Sequence, residues 1–179
     1  MTRPADGIRN LRSGILDSVD GLSHPMLQHL HADWLAAKPA EGLPGHDFVD
    51  PGRLKYLLGH LLVIGVARGA QDTMRFHYRL IGTEVVDRLG RDFTGLWMDE
   101  HADAEVAREG PAACRLAVES GRPVHATAKR VIFDKHYPLE YLILPLAAEG
   151  VIDRLVIAQL YPANAPRVPY GGGSPQGVS

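Results

Sequence analysis

The chain has 179 residues, 45% of them hydrophobic and 22% charged, with 19 Lys and Arg against 21 Asp and Glu. That length suits one globular domain with tails, and the balance is ordinary for a soluble protein. A net charge of −2 leaves no basic footprint for nucleic acid.

No apolar run is long enough to span a bilayer, and MTRPADGIRNLRSG lacks the apolar heart of a secretory leader. The single cysteine, Cys114, excludes an internal disulfide and fits a reducing compartment. The expectation is a cytoplasmic protein with no membrane and no nucleic-acid partner.

Residues 1–22 are weakly patterned and read as a mostly loose extension, with a short helical turn at Ile15, Leu16 and Val19 between Gly14 and Gly21. Ser23-His24-Pro25 begins a firmer helix, because proline at the first helical position lacks only an N–H that would be unpaired anyway. Met26, Leu27, Leu30 and Trp34 follow at helical spacing, giving an apolar stripe that ends before Lys38-Pro39. Asp50-Pro51 predicts a second helix burying Leu54, Leu57 and Leu58 and stopped by Gly59.

Leu61 to Ala67 is a continuous apolar run, read as a strand, and the polar stretch 68–73 turns it into the next one. There Phe76, Tyr78 and Leu80 alternate with His77 and Arg79, the period of a strand with two unlike faces. At Gly82-Thr83 the pattern changes. Val85, Val86 and Leu89 fall on one side of a short helix with the Thr83 hydroxyl as its cap, and Gly90 closes it. Gly110-Pro111 opens a longer helix that ends at Gly121, with Cys114 in its first turn beside Arg115. Three strands follow, at 124–133, 139–146 and 151–161. Beyond Tyr161 the chain is rich in Pro, Gly and Ser and reads as a disordered tail over 162–179. Pattern alone gives an α+β protein with an antiparallel sheet.

The order strand, strand, small helices, longer helix, three strands resembles the PAS domain. The wording YRLIGTEVVDRLGRDFTG is similar to that of a bacterial PAS family whose members are often small stand-alone proteins, and the resemblance covers about 24–161. It implies a five-stranded antiparallel sheet with short helices over one face and N-terminal helices flanking it. It also implies a sensory or interaction module rather than an enzyme. Partners of that kind include a second copy of the chain, a signalling protein such as a histidine kinase, and a small-molecule ligand.

A ligand pocket on the inner sheet face would draw on Phe76, Tyr78, Leu80, Phe93, Trp97, Tyr141, Ile143 and Ile157. Thr83, Arg91, His101, Cys114, Arg115 and Thr127 would supply its polar or reactive groups. The same side chains could instead fill the core and leave no space, which would make the protein an adaptor. A third reading is a small α+β enzyme using a His101/Asp99 acid–base pair. No metal is expected: His29 and His31 point to different sides of their helix, and no ligand set has metal spacing. No cofactor is named. The Asn-Cys-Arg-Phe phrase of the flavin photoreceptors is lacking, and nothing marks His60, His77 or His101 as a haem ligand. The stripe of Met26, Leu27, Leu30 and Trp34, with an apolar outer sheet face at Val63, Ile132, Leu142, Leu144 and Val156, means that the helix covers its own sheet or that two chains cover each other's; the expectation is a homodimer through these elements.

Overall fold

The structure, a computed structural model, describes residues 6–168. Nine elements carry the fold, in the order β1 (Gly7–Ile15), α1 (Pro25–Ala36), β2 (Leu61–Arg68), β3 (Met74–Ile81), α2 (Thr83–Leu89), α3 (Ala104–Ser120), β4 (Val124–Ile132), β5 (Lys135–Ala148) and β6 (Val151–Leu160). The sheet runs β1-β4-β5-β6-β2-β3, and every neighbouring pair is antiparallel.

The sheet therefore has six strands where five were expected, and the extra one comes from the segment read as loose. Its period is hidden by a register shift between Arg9 and Arg12, where Asn10 takes a positive φ of 56°. A bulge of this kind moves later side chains to the other face, so no alternation survives in the sequence. What holds β1 is not local propensity. It pairs with β4, and the carboxylates of α3's cap and second residue take its backbone: Ile8 N–H donates to Asp103 Oδ2 at 2.6 Å and Leu11 N–H to Glu105 Oε1 at 2.7 Å.

Both sheet faces are covered. On the outer face α1 lays Leu27, Leu30 and Trp34 against Leu142, Leu144 and Val156 of the same chain, and the indole Nε1–H donates to the Pro145 carbonyl at 3.0 Å. His24 caps this helix, its Nδ1 accepting from Met26 N–H at 3.1 Å, with Pro25 at the first position. Leu27, Leu30 and Trp34 are buried and Met26 packs beside them, so the stripe is spent on its own sheet and is not a free dimer surface. Three such side chains contribute on the order of 6 kcal/mol of gross hydrophobic stabilisation.

Three helix expectations change. The segment after Asp50 is a series of turns followed by a single 3₁₀ turn at Leu58–His60. Leu54 and Leu57 are buried as expected, but Leu58 is 41% exposed; Pro51 and Gly52 deprive the segment of helix-forming residues. α2 is capped by Gly82 without a side-chain bond, so the Thr83 hydroxyl plays no such part. α3 starts seven residues before Pro111, at Ala104. Asp103 caps it, its Oδ1 accepting from Glu105 N–H at 3.0 Å and Val106 N–H at 3.3 Å. Proline normally drives the preceding residue out of the helical region through a clash with that residue's Cβ. Here the preceding residue is Gly110, which has none.

Part of the segment read as a disordered tail is packed. Ala165 is 5% exposed, Arg88 donates to its carbonyl, and Val168 N–H donates to the Asp87 carbonyl at 2.9 Å. These contacts fold residues 162–168 back over α2; residues 1–5 and 169–179 lie outside the described residues.

Candidate functional site

The inner sheet face and its helical roof enclose a cavity of about 70 Å³. Its floor is Leu62, Tyr78 and Ile81 from β2 and β3, Ala126, Tyr141 and Ile143 from β4 and β5, and Ile157 and Gln159 from β6. The roof is Leu89 of α2, Phe93, Met98 and His101 of the connection, and Val106, Gly110, Ala113 and Cys114 of α3. Ile8 and Leu11 of β1 close one end. Gly110 matters for the fit, because a Cβ there would stand 3.0 Å from Met98 Sδ, so a larger residue requires the Met98 side chain to give by a few tenths of an ångström.

Few polar groups reach this wall, and each is short of partners. Burial raises the hydroxyl pKa of Tyr78, with the Cys114 thiol adding to the effect. Tyr141 keeps a partly exposed flank, but its titrating end is enclosed and its pKa is pushed well up by burial. Neither hydroxyl has a hydrogen-bond partner among the described residues. Gln159, 5% exposed, lines the cavity and donates through Nε2 to the Tyr161 hydroxyl at 2.7 Å.

His101 Nδ1 accepts from the Asp103 N–H at 2.9 Å, which places the proton of the neutral ring on Nε2. Burial holds its pKa down at about 4; Asp103 opposes this, and Arg91 and Arg130 assist it. At neutral pH the cavity therefore meets an uncharged imidazole that can donate. Enclosed hydroxyls, an amide and an imidazole donor on apolar walls are the makings of a site for a small molecule with an oxygen acceptor.

Of the residues expected here, Tyr78, Phe93, His101, Cys114, Tyr141, Ile143 and Ile157 line the cavity. Phe76 is buried in the same core but does not reach it. Leu80 is 47% exposed; a register shift in the β2–β3 pair, with Val63 opposite Leu80 and Ile64 opposite Tyr78, turns Leu80 out and brings Ile81 in. Trp97 lies elsewhere, edge-on to His77 at 5.1 Å and under the Arg75 guanidinium at 4.3 Å. Thr83, Arg91 and Thr127 are exposed, and Arg91 covers the Phe93 ring from outside at 5.2 Å. Arg115 pairs with Glu119 at 3.5 Å on the surface of α3.

Cys114 is in the middle of α3, not its first turn. It is fully buried with its thiol pushed up to about 12, and its Sγ lies 3.9 Å from Met98 Sδ. It is a packing residue. Nor do His101 and Asp99 form an acid–base pair: Asp99 takes a two-pronged bond from Arg75, at 2.9 and 2.7 Å, on the protein surface. Sequence reasoning missed Ile8, Leu11, Ile81, Met98 and Gln159, and likewise Leu62, Leu89, Val106, Gly110, Ala113 and Ala126. Only Gln159 left a signal, as the one polar residue in Leu155–Leu160.

Among the described residues, no helix is long and apolar enough to cross a membrane and no group of three or more His, Cys, Asp or Glu could hold a metal. No curated protein matches the chain. Among solved structures it is similar to a domain of an HTR-like protein from Haloarcula marismortui ATCC 43049, with 19% identity, a TM-score of 0.38, and coverage of 56% of this chain and 95% of that one. It is also similar to an RNA-binding light-oxygen-voltage receptor, with 16% identity and a TM-score of 0.41, over 88% of this chain and 40% of the receptor. Likenesses this distant say nothing about ligand or partner. A family model of the PAS domain, by contrast, matches residues 22–156, from just before α1 into β6. The chain belongs to the PAS domain family.

Proposed function

We propose that this protein is a cytoplasmic PAS sensor that binds a small molecule in the inner cavity and passes the event to a signalling partner or a second copy. The observation that carries the reading is the pair of tyrosine hydroxyls, Tyr78 and Tyr141, enclosed at the cavity wall without a protein partner. Neither is among the fully enclosed unpaired side-chain atoms, so each hydroxyl keeps accessible surface at the cavity wall, and an occupant that supplies acceptors gives them partners worth about 1 kcal/mol each. The volume sets the scale. At about 70 Å³ the cavity is near half the ~150 Å³ of an engineered apolar cavity that admits benzene, so the ligand is small or the roof yields around it.

Output follows from what the ligand touches. Its roof contacts lie on α2, the 90–103 connection and α3, and α3 in turn holds β1 through Asp103 and Glu105. A ligand that binds one packing of this roof better than another shifts the population between them, and the edge strand is the element positioned to report it.

Native mass spectrometry of protein purified from its own host tests the reading. A retained small molecule, lost on denaturation and absent from Ala126→Leu, which fills the floor, is the expected result. An empty protein in both forms, with no ligand from a fragment library raising the melting temperature of the unmodified chain, overturns it. The adaptor then becomes the better account.

A further inference from the structure

Arg130 is the unusual residue of the inner face. Its side chain is 8% exposed, its Nε is enclosed without an acceptor, and it makes no hydrogen bond or ion pair with any described residue. A largely buried arginine without an ion-pair partner is costly to a fold; here the Nε is enclosed while the two Nη groups keep accessible surface. It stands in β4 at the same parity as Ala126 and Ala128, hence on the cavity side of the sheet. In register it lies between Ile8 of β1 and Tyr137 of β5, and Ile8 is itself cavity wall.

The carboxylates at this end are already committed to backbone. Asp103 accepts from Ile8, Glu105 and Val106 N–H groups and stands 3.6 Å from Arg9, while Glu105 accepts from Leu11 N–H. Arg88, the other cation beside Tyr161, is held by Glu84 and the Ala165 carbonyl. The Arg88 Nε also lacks a hydrogen-bond acceptor, but its charge is paired with Glu84; among the described residues at this end Arg130 is the buried cation without a carboxylate partner, next to a cavity whose own hydroxyls lack acceptors.

We propose that the molecule held in the cavity is a small organic carboxylate, with its apolar body among Tyr78, Tyr141 and Ile143 and its carboxylate on the Arg130 guanidinium. The inference rests on the ligand-binding reading above and adds the ligand's chemical class. The planar fork of a guanidinium matches a carboxylate in two parallel hydrogen bonds. The small volume suits a short acid better than a phosphate ester, whose second charge would also need donors. Asp103 repels an anion here, and the charges of Arg91 and Arg130, which reach His101, act against that repulsion.

The test uses the full chain with butyrate and benzoate, each beside its primary amide, measured by calorimetry, and with butyrate added to protein labelled for arginine Nε–H resonances. The acids should bind at least tenfold more tightly than the amides, as a charge-assisted bond requires. The Arg130 Nε–H signal should shift, and folded Arg130→Met should lose the preference. Amides that bind as well as acids overturn the inference and leave the cavity reading standing. So does an acid preference that persists in Arg130→Met, or butyrate that perturbs only surface residues. Should Arg130→Met fail to fold, the acid–amide ratio and the Nε–H shift in the unmodified chain decide. No binding by any of the four also overturns it, whereas the cavity reading falls only if the host-purified protein is empty as well.

Discussion

The imidazole of His101 lies on the ring of Phe93, centroids 4.0 Å apart and planes 24° from parallel. This stack forms one wall of the cavity and keeps the imidazole away from water, which is why its pKa sits at about 4. Unfolding restores an ordinary value near 6.5. Between these two values the unfolded chain binds the extra proton, so stability rises with pH across that window and is lost as pH falls from about 6.5 towards 4. His31, His60 and His77 are shifted the same way, so the variant isolates the share of His101. His101→Asn keeps an acceptor for the Asp103 N–H but cannot titrate here. Denaturant unfolding at pH 7 and pH 4 should show the native protein losing about 2–3 kcal/mol more than the variant. Equal losses would mean that His101 is solvated.

Asp103 serves two elements with one carboxylate, capping α3 with one oxygen and receiving Ile8 of β1 with the other. Asp103→Ala removes a cap, worth about 1 kcal/mol, and leaves a strand N–H without its acceptor, a further 1 kcal/mol or so. The expected result is a destabilisation of about 2 kcal/mol with faster hydrogen exchange at Ile8 and Leu11. An unchanged exchange rate at these amides would show that pairing with β4 alone fixes β1.

Cys114 should behave as an inert thiol. With its pKa at about 12 and its side chain fully buried, almost no thiolate exists at pH 8. A maleimide should label the native protein many-fold more slowly than the unfolded one. Cys114→Ala should cost about 1 kcal/mol as a small core truncation, without altering ligand selectivity if the carboxylate sits on Arg130. Rapid native labelling would show that the roof opens readily.

The parts legible in the sequence are those where one periodicity persists. Tyr78 and Phe76 read as inside because β3 alternates up to that point, and Gly90 reads as the end of α2 because glycine readily terminates a helix; in the structure it does so at φ = 72°. Leu80 was misplaced because one extra residue, Arg79, enters the ladder opposite β2, and a one-residue slip inverts every later side chain. β1 was invisible for the same reason, and because its partners lie about a hundred residues away. Arg130 escaped notice since an arginine in a strand is ordinarily solvated. In the sheet it is flanked by Ile8 of β1 and Tyr137 of β5, a pairing that no local pattern encodes.

The packing of α1 gives the sharpest contrast with a dimer. Trp34 is 2% exposed and donates to Pro145 of its own sheet at 3.0 Å. Its loss therefore opens a cavity inside one subunit instead of separating two. Trp34→Ala should cost about 3–5 kcal/mol, lowering the melting temperature at every protein concentration by the same amount. Were α1 the contact between two copies, melting of the unmodified protein would rise with concentration, and the substitution would remove that dependence while shifting the sedimenting species to half its mass. Sedimentation of both proteins over a hundredfold range of concentration separates the outcomes. An identical mass for the two, with only stability changed, assigns the helix to the fold and directs any self-association to another surface.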